Sequence, residues 1–289
     1  MARFLSHITA ASRWPIPFLE TVLEKEIANS AGVDYTVTSF SERYRKKDCN
    51  IHLCRTNLPP SAILKTGNDW IASPELVFLQ LASELDIHRL ILLGLQLCAH
   101  PPGRKADAVT TKKKLNLFLQ KTAGHKGRKQ ACRAARYIEN GSASIMESIV
   151  YMLLTLPHAL GGYGLSGAAF NAEIALPYTA ANRLEQSNCF VDMYYKSAKL
   201  AIEYDSFAFH SRPSEQGKDA IRSEILRRCG VEMMHLKTIQ VYDKDASLDF
   251  ALNLARKLGK NIIIRTAQFD KMHRQLRALL PSVSSSFES

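Results

Sequence analysis

The sequence lacks three features that would assign it to a specialised class of protein. It has six cysteines among 289 residues, but no two stand in the C-x-x-C spacing of a zinc knuckle or redox site. Its apolar stretches, such as Leu90–Leu97, are far shorter than the roughly 20 residues of a membrane span. The segment after Met1 contains no apolar core of signal-peptide length. We therefore expect a cytoplasmic protein with no disulfide scaffold and no membrane partner.

Acidic residues are scarce relative to basic ones. The chain has 38 Lys and Arg but 27 Asp and Glu, which gives a net charge of +11. Between residues 103 and 136 there are eleven basic residues and one acid, Asp107. Such a segment favours contact with a polyanion, although a solvated linker would have the same composition. The candidate nucleic-acid-binding residues are Lys112, Lys113, Lys114, Lys126, Arg128 and Lys129.

The length predicts about two domains. We expect a mixed α/β N-terminal domain over 1–102, a basic connector over 103–141, a second domain over 142–281 and a flexible tail over 282–289. In the first domain, Ser73 followed by Pro74 predicts the start of a helix. The fold class predicted for the whole chain is α+β or α/β.

The second domain shows a regular order of elements. Ser144 and Glu147 have the Ser-x-x-Glu spacing of a capping box, and they predict a helix that ends before Pro157. Three strands, a helix from Glu215 to Cys229 and a fourth strand follow. Two further helices are predicted near 248–258 and 270–280. The core of this domain is thus predicted to be αβββαβ.

Three carboxylates stand where they could share one cation. Glu203 and Asp205 are two apart on a predicted strand, so their side chains project from one face roughly 7 Å apart. Asp192 lies on the preceding strand. Three such groups repel one another unless a hard cation neutralises them, and Mg²⁺ is the cation that suits an oxygen cluster, with Mn²⁺ as the alternative. Glu147 is a fourth candidate ligand, although its capping position explains it equally well.

Several segments together resemble the PD-(D/E)xK restriction-endonuclease-like superfamily, in the branch related to very-short-patch-repair endonucleases. They are 190–195 (FVDMYY), 200–205 (LAIEYD), His210, 219–222 (DAIR) and 226–231 (LRRCGV). The resemblance covers about 142–238 and implies a restriction-endonuclease-like core that cleaves DNA with Mg²⁺. It implies metal ligation by Asp192, Glu203 and Asp205, an acid or base role for His210 and a phosphate contact for Arg222. A loop histidine and a surface pair between Asp219 and Arg222 are the structural alternatives.

The first half resembles a second group of proteins. Its segments 6–14 (SHITAASRW), 51–55 (IHLCR), Leu58-Pro59 and 73–75 (SPE) are similar to the domain that precedes the nuclease-like module in abortive-infection antitoxin-like proteins. In that group the module can be regulatory. This resemblance implies DNA and a companion protein as partners, and it leaves the oligomeric state open.

Two positions depart from the nuclease pattern. Asp205 stands where the superfamily has lysine, and Ser206 stands where a glycine usually follows. Lys196, Lys199 and Lys218 are the lysines near enough in sequence to supply the missing charge. The leading hypothesis is a metal-dependent DNA endonuclease. The alternatives are a catalytically inactive DNA-binding regulator with the same fold and a subunit that binds a companion protein.

Overall fold

The computed structural model describes residues 3–29, 32–44, 47–176, 187–205 and 213–282, without side chains for 213–220. The chain divides into two units. Unit 1 contains residues 1–99 and 106–140, and unit 2 contains 100–105 and 141–289. Each unit has one mixed sheet together with helices, so the chain is of mixed α/β class. Within the described ranges, no helix has both the length and the apolar character that a bilayer span requires.

Unit 1 is built around a five-stranded sheet in the order β3-β2-β1-β5-β4. The strands are β1 (Phe4–Leu5), β2 (Val33–Val37), β3 (Cys49–Leu53), β4 (Ile63–Thr66) and β5 (Asp69–Ala72). Strand β2 runs parallel to β3 and antiparallel to β1, and this register places Asp34 beside Asn50 and Thr36 beside His52. The polar side chains of these two strands therefore lie next to one another.

The helices of unit 1 lie mainly after the sheet in sequence. They are α1 (His7–Ala11), α2 (Leu19–Val22), α3 (Glu24–Asn29), α4 (Pro74–Leu81), α5 (Ile87–Leu97), α6 (Lys112–Gln120) and α7 (Arg128–Ala135). The predicted start of α4 is confirmed, because the Ser73 hydroxyl accepts a hydrogen bond from the Leu76 backbone N–H at 3.2 Å. Helix α5 is buried along almost its whole length and forms the centre of the unit.

The basic segment that we expected as a connector is largely helical. Residues 106–140 belong to unit 1, where α6 and α7 contact each other and also α4 and α5. The cause is an apolar stripe among the charges, since Leu115, Phe118 and Leu119 are buried at helical spacing on α6. Three buried alanines on α7 do the same. The positive charges therefore lie on a folded surface.

Unit 2 contains the predicted order of helix, three strands, helix and strand. Its elements are α8 (Ile145–Thr155), β6 (Ala169–Ala175), β7 (Asn188–Tyr195), β8 (Leu200–Asp205), α9 (Pro213–Arg228), β9 (Glu232–Lys237), α10 (Thr238–Tyr242), α11 (Lys244–Lys257) and α12 (Phe269–Arg277). The sheet order is β6-β7-β8-β9, antiparallel up to β8 and parallel between β8 and β9. The two predicted C-terminal helices are present as α11 and α12, and the short α10 was not predicted.

A small apolar cluster ties the sheet of unit 2 to α9. It comprises Cys189, Val191, Ala201, Leu226 and Val231. Val191 and Ala201 have no measurable exposure, so this cluster holds β7, β8 and α9 together. Asp192 on β7, Glu203 on β8 and Arg222 on α9 therefore belong to elements that are packed against one another.

Candidate active site

Asp192 and Glu203 meet where β7 and β8 separate. The backbone ladder between these strands ends at the Met193–Ile202 pair, and the Asp192 carboxylate then accepts a hydrogen bond from the Tyr204 backbone N–H at 2.8 Å. The two carboxyl groups are close enough for each to affect the pKa of the other. The structure thus brings these two predicted site residues into direct contact.

Burial governs the charge of this pair. It raises the pKa of Glu203, and the neighbouring Asp192 charge raises it further. Burial raises the pKa of Asp192 as well, although the Tyr204 N–H and then the Arg222 charge oppose that effect. Two carboxylates in contact cannot both ionise without compensation, so the pair shares a proton or requires a cation.

Arg222 supplies the positive charge beside this pair. Its Nη2 donates to Glu203 Oε1 at 2.8 Å and to the Phe190 backbone carbonyl. The guanidinium is carried by α9, and its side chain is 27% exposed, so one side of the cluster faces solvent. The alternative of a simple surface pair with Asp219 involves a side chain outside the described residues.

Glu147 reaches the same region from α8. The predicted cap is present, because the Ser144 hydroxyl accepts from the Glu147 backbone N–H at 3.0 Å. The Glu147 carboxylate accepts from the Ala143 N–H at 3.0 Å and from Asn171 Nδ2 at 3.3 Å. Burial and then the charge of Asp192 raise the pKa of Glu147 to about 7. Glu147 therefore combines a capping role with an electrostatic role at the carboxyl cluster.

Asn171 is a member of this site that the sequence analysis missed. It sits on β6 with a φ of 41°, in the left-handed region, and is 9% exposed. Its Nδ2 donates to the Gly141 carbonyl at 2.6 Å as well as to Glu147. An isolated asparagine within an apolar strand is the only sequence signal that points to it.

The other predicted site residues lie apart from this pair or outside the description. Asp205 ends β8, is exposed, and has an oxygen 3.3 Å from His235 Nδ1. Asp205 is two residues along the strand from Glu203. The carboxylates of Asp192, Glu203 and Asp205, all in the described part of the chain, do not form a set of three ligand atoms within 4.8 Å of one another. His210 and the side chain of Lys218 lie outside the described residues. Lys196 and Lys199 are exposed.

Lys237 lies next to position 205, where the nuclease pattern has a lysine and this chain has Asp205. In the parallel register of β8 and β9, Glu203 pairs with His235 and Asp205 pairs with Lys237. Register partners in a sheet project from the same face. Lys237 is exposed, so its ammonium group is available beside the strand that carries Glu203. Lys237 was not among the predicted candidates, because it is 32 residues from Asp205 in the sequence.

The six predicted nucleic-acid-binding residues fall at two helix starts in unit 1. Lys112, Lys113 and Lys114 form the first turn of α6, and Lys112 Nζ pairs with Glu139 at 3.0 Å. Arg128 and Lys129 begin α7. Positive side chains at a helix N-terminus oppose the helix dipole, at a cost of about 0.3–1 kcal/mol each. An added anion would relieve that repulsion.

The second of these helix starts borders a pocket. It is open to solvent, has a volume of about 500 Å³ and includes Ser83 and His125. Lys126, Arg128 and Lys129 line the same pocket, and Arg128 is held by a hydrogen bond from Nε to the Leu119 carbonyl at 2.9 Å. Three of the six predicted residues therefore surround one concave basic surface.

A second group of polar side chains in unit 1 was not predicted. Ligand atoms of His7, His52 and Glu84 all lie within 4.8 Å of one another. Among the residues that the structure describes, this is the only set of three His, Cys, Asp or Glu side chains with that property. Their separation of 45 and 32 residues matches no metal-binding motif, so only the tertiary structure reveals the group.

Comparison of the chain with family models, with curated proteins and with solved structures finds no match in any of the three. A function for the chain must therefore be inferred from the geometry of the Asp192–Glu203 pair, of the His7, His52 and Glu84 group and of the basic surface.

Proposed function

We propose that the chain is a Mg²⁺-dependent DNA endonuclease whose catalytic core, of restriction-endonuclease-like type, lies in unit 2. The observation that carries this proposal is the buried contact between the carboxyl groups of Asp192 and Glu203 at the point where β7 and β8 separate. The αβββαβ order and the residue segments around both acids support the same assignment.

The carboxyl cluster fits a hard divalent cation. Asp192 and Glu203 would be its protein ligands, and Glu147, whose pKa responds to Asp192, would support it. Crowded carboxyl groups with raised pKa values hold protons that a divalent ion would displace, which makes metal binding and proton release one event. When bound, Mg²⁺ would activate water and neutralise charge that develops on the scissile phosphate.

Basic side chains of the same unit would complete the site. Arg222 donates a hydrogen bond to Glu203, and a divalent ion bound by that carboxyl group would free the guanidinium to contact a phosphate oxygen. Lys237 is our candidate for the lysine that the sequence pattern lacks at position 205. DNA would be held along its backbone by the basic surface of unit 1, since charge positions the duplex without reading bases.

The decisive experiment is a plasmid-nicking assay with the purified full-length chain. We expect nicking that requires Mg²⁺ or Mn²⁺ and falls by at least about 100-fold in Asp192→Asn and Glu203→Gln. Glu173→Gln is the matched control, because Glu173 is an exposed glutamate on the neighbouring strand β6 and pairs with Asn188. Undiminished nicking by both active-site variants would overturn the assignment.

The second candidate function is a DNA-binding regulator that does not cleave. The specific observation in its favour is that Arg222 already occupies one oxygen of Glu203, while position 205 carries an exposed acid. This candidate requires DNA binding with a steep dependence on salt, reduced by Lys113→Ala and Lys129→Ala, and no nicking with either metal. Companion-protein binding remains an untested prediction.

A further inference from the structure

The His7, His52 and Glu84 group occupies a defined place in unit 1. His7 begins α1, His52 lies on β3, and Glu84 follows α4. The two imidazole rings stack with centroids 3.6 Å apart, and His7 Nε2 lies 3.5 Å from Glu84 Oε1. Ligand atoms around a tetrahedral zinc ion with bonds of about 2.1 Å are roughly 3.4 Å apart. The His7–Glu84 distance matches that value, and the His52 ring has to turn out of the stack for its nitrogen lone pair to point at the same ion, because such lone pairs lie in the ring plane.

A buried carboxylate orients one of the two imidazoles. Asp34 is 4% exposed, and its Oδ1 lies 3.1 Å from His52 Nε2. The same carboxylate accepts from Asn50 Nδ2 at 3.1 Å and from the Thr9 hydroxyl at 3.3 Å. With a proton on Nε2, His52 has its Nδ1 lone pair free. A carboxylate–histidine pair is the usual second layer of a metal site, where it fixes the tautomer and strengthens the ligand.

The second imidazole is held just as firmly. His7 Nδ1 lies 3.0 Å from the Ser6 hydroxyl, and the His7 backbone N–H donates to Gln80 Oε1 at 3.2 Å. Gln80 in turn donates to Thr36 at 3.2 Å. His7 has a φ of 49°, a strained value for a residue with a side chain.

We propose that His7, His52 and Glu84 bind one divalent transition-metal ion, with Zn²⁺ as the preferred ion. Two imidazoles and one carboxylate are ligands of zinc-type sites and differ from the oxygen-only set that Mg²⁺ prefers. The side chains of His52 and Glu84 are 32% and 36% exposed, so the site opens to solvent and keeps a coordination position for water or an exogenous ligand. This site is separate from the carboxyl cluster of the proposed nuclease.

Metal titration of the chelator-treated full-length chain tests this proposal directly. We expect one equivalent of Zn²⁺ to bind, and one equivalent of Co²⁺ to give the intense visible absorption of a four-coordinate site. His52→Gln and Glu84→Gln should each weaken Zn²⁺ binding by at least about 100-fold, and Asp34→Asn by about 10- to 100-fold through the orientation of His52. Both Zn²⁺ ligand variants change half-exposed side chains, and tryptophan fluorescence from Trp14 and Trp70 of unit 1 reports whether they fold.

Two controls separate this site from other metal-binding groups. Glu20→Gln changes an exposed glutamate of α2, and the double variant Asp192→Asn, Glu203→Gln removes the carboxyl pair of unit 2. Both should bind Zn²⁺ with wild-type affinity. The proposal is overturned if the wild type binds no stoichiometric Zn²⁺, or if the His52 and Glu84 variants bind it as tightly as the wild type. Neither result depends on whether the chain cleaves DNA.

Discussion

The two units each bury a carboxylate among polar side chains, but they stabilise it in opposite ways. In unit 1, burial alone would raise the pKa of Asp34, yet hydrogen bonds from His52 and Asn50 outweigh it and hold that pKa below its usual value. In unit 2, Glu203 touches another acid, and its pKa rises. The groups that face these two carboxyl groups, two donors at Asp34 and a second acid at Glu203, therefore account for the opposite directions of their pKa shifts. The Asp34 carboxylate is charged and holds His52 by a hydrogen bond. The carboxyl groups of Asp192 and Glu203 retain a proton that a cation can replace.

Removal of Arg222 should have the largest effect on this comparison. Arg222→Ala leaves Glu203 and the Phe190 carbonyl without this part-buried donor, and we expect a loss of about 2–4 kcal/mol in the unfolding free energy of unit 2 at pH 8. The loss should shrink at pH 5, where a carboxyl group with a raised pKa takes up a proton. Urea unfolding followed by far-ultraviolet circular dichroism measures both values.

Arg228→Ala is the matched control for that prediction. Arg228 lies on the same helix and pairs with Glu224 four residues earlier, on the exposed side. Exposed helical ion pairs contribute little, so its removal should leave the unfolding midpoint nearly unchanged. Equal losses for both arginines would show that the Glu203 pair is no more important than a surface pair.

The charge of Glu147 should produce a smaller effect with a distinct pH dependence. Its folded pKa of about 7 exceeds the ordinary 4.5, so the stability it contributes is complete below pH 4.5 and is lost as the pH rises through 7. We expect Glu147→Gln to stabilise unit 2 by about 1–2 kcal/mol at pH 8 and to have no stabilising effect at pH 4.5. Unfolding midpoints across that pH range provide the measurement.

Two comparisons sharpen the interpretation of that result. Glu173→Gln, on an exposed face of β6, should show no such pH-dependent gain. Addition of Mg²⁺ at pH 8 should stabilise the wild type more than Glu147→Gln, because only the wild type has that negative charge to neutralise. A gain from Glu147→Gln that is the same at pH 4.5 and pH 8 would contradict the raised pKa.

The elements of unit 2, apart from the short α10, could be predicted from sequence because each of them is encoded locally. Ser144 before an apolar helix and the alternation from Leu200 to Asp205 are patterns contained within a dozen residues. The start of α4 at Ser73 was equally local. The approach of Asp192 to Glu203 followed from the antiparallel pairing of two consecutive strands, β7 and β8, because strands consecutive in sequence are often neighbours in a sheet.

What the sequence did not reveal depends on register and on tertiary packing. His7 follows β1 and His52 lies on β3, so their contact depends on the strand order β3-β2-β1. The parallel pairing of β2 with β3 in that order has no local signal in the sequence. The buried stripe of α6, which includes Leu115 and Leu119, was present in the sequence but was obscured by the surrounding lysines. Asp205 was predicted at the end of the strand that carries Glu203, but its contact with His235 depends on the pairing of β8 with β9 and could be known only from the structure.

The helix caps give the smallest predicted effects and show whether the two units unfold separately. Ser73→Ala removes the acceptor for the Leu76 N–H in unit 1, and Ser144→Ala removes the acceptor for the Glu147 N–H in unit 2, each at about 1 kcal/mol. Both tryptophans of the chain, Trp14 and Trp70, belong to unit 1. Ser73→Ala should therefore shift the fluorescence transition, and Ser144→Ala should shift only the transition seen by circular dichroism. Ser73→Gly should recover most of the loss, because glycine is nearly as good a cap as serine. A fluorescence shift of equal size in Ser144→Ala would mean that both units unfold as one, and the proposed metal-binding and nuclease sites could then no longer be treated as energetically independent.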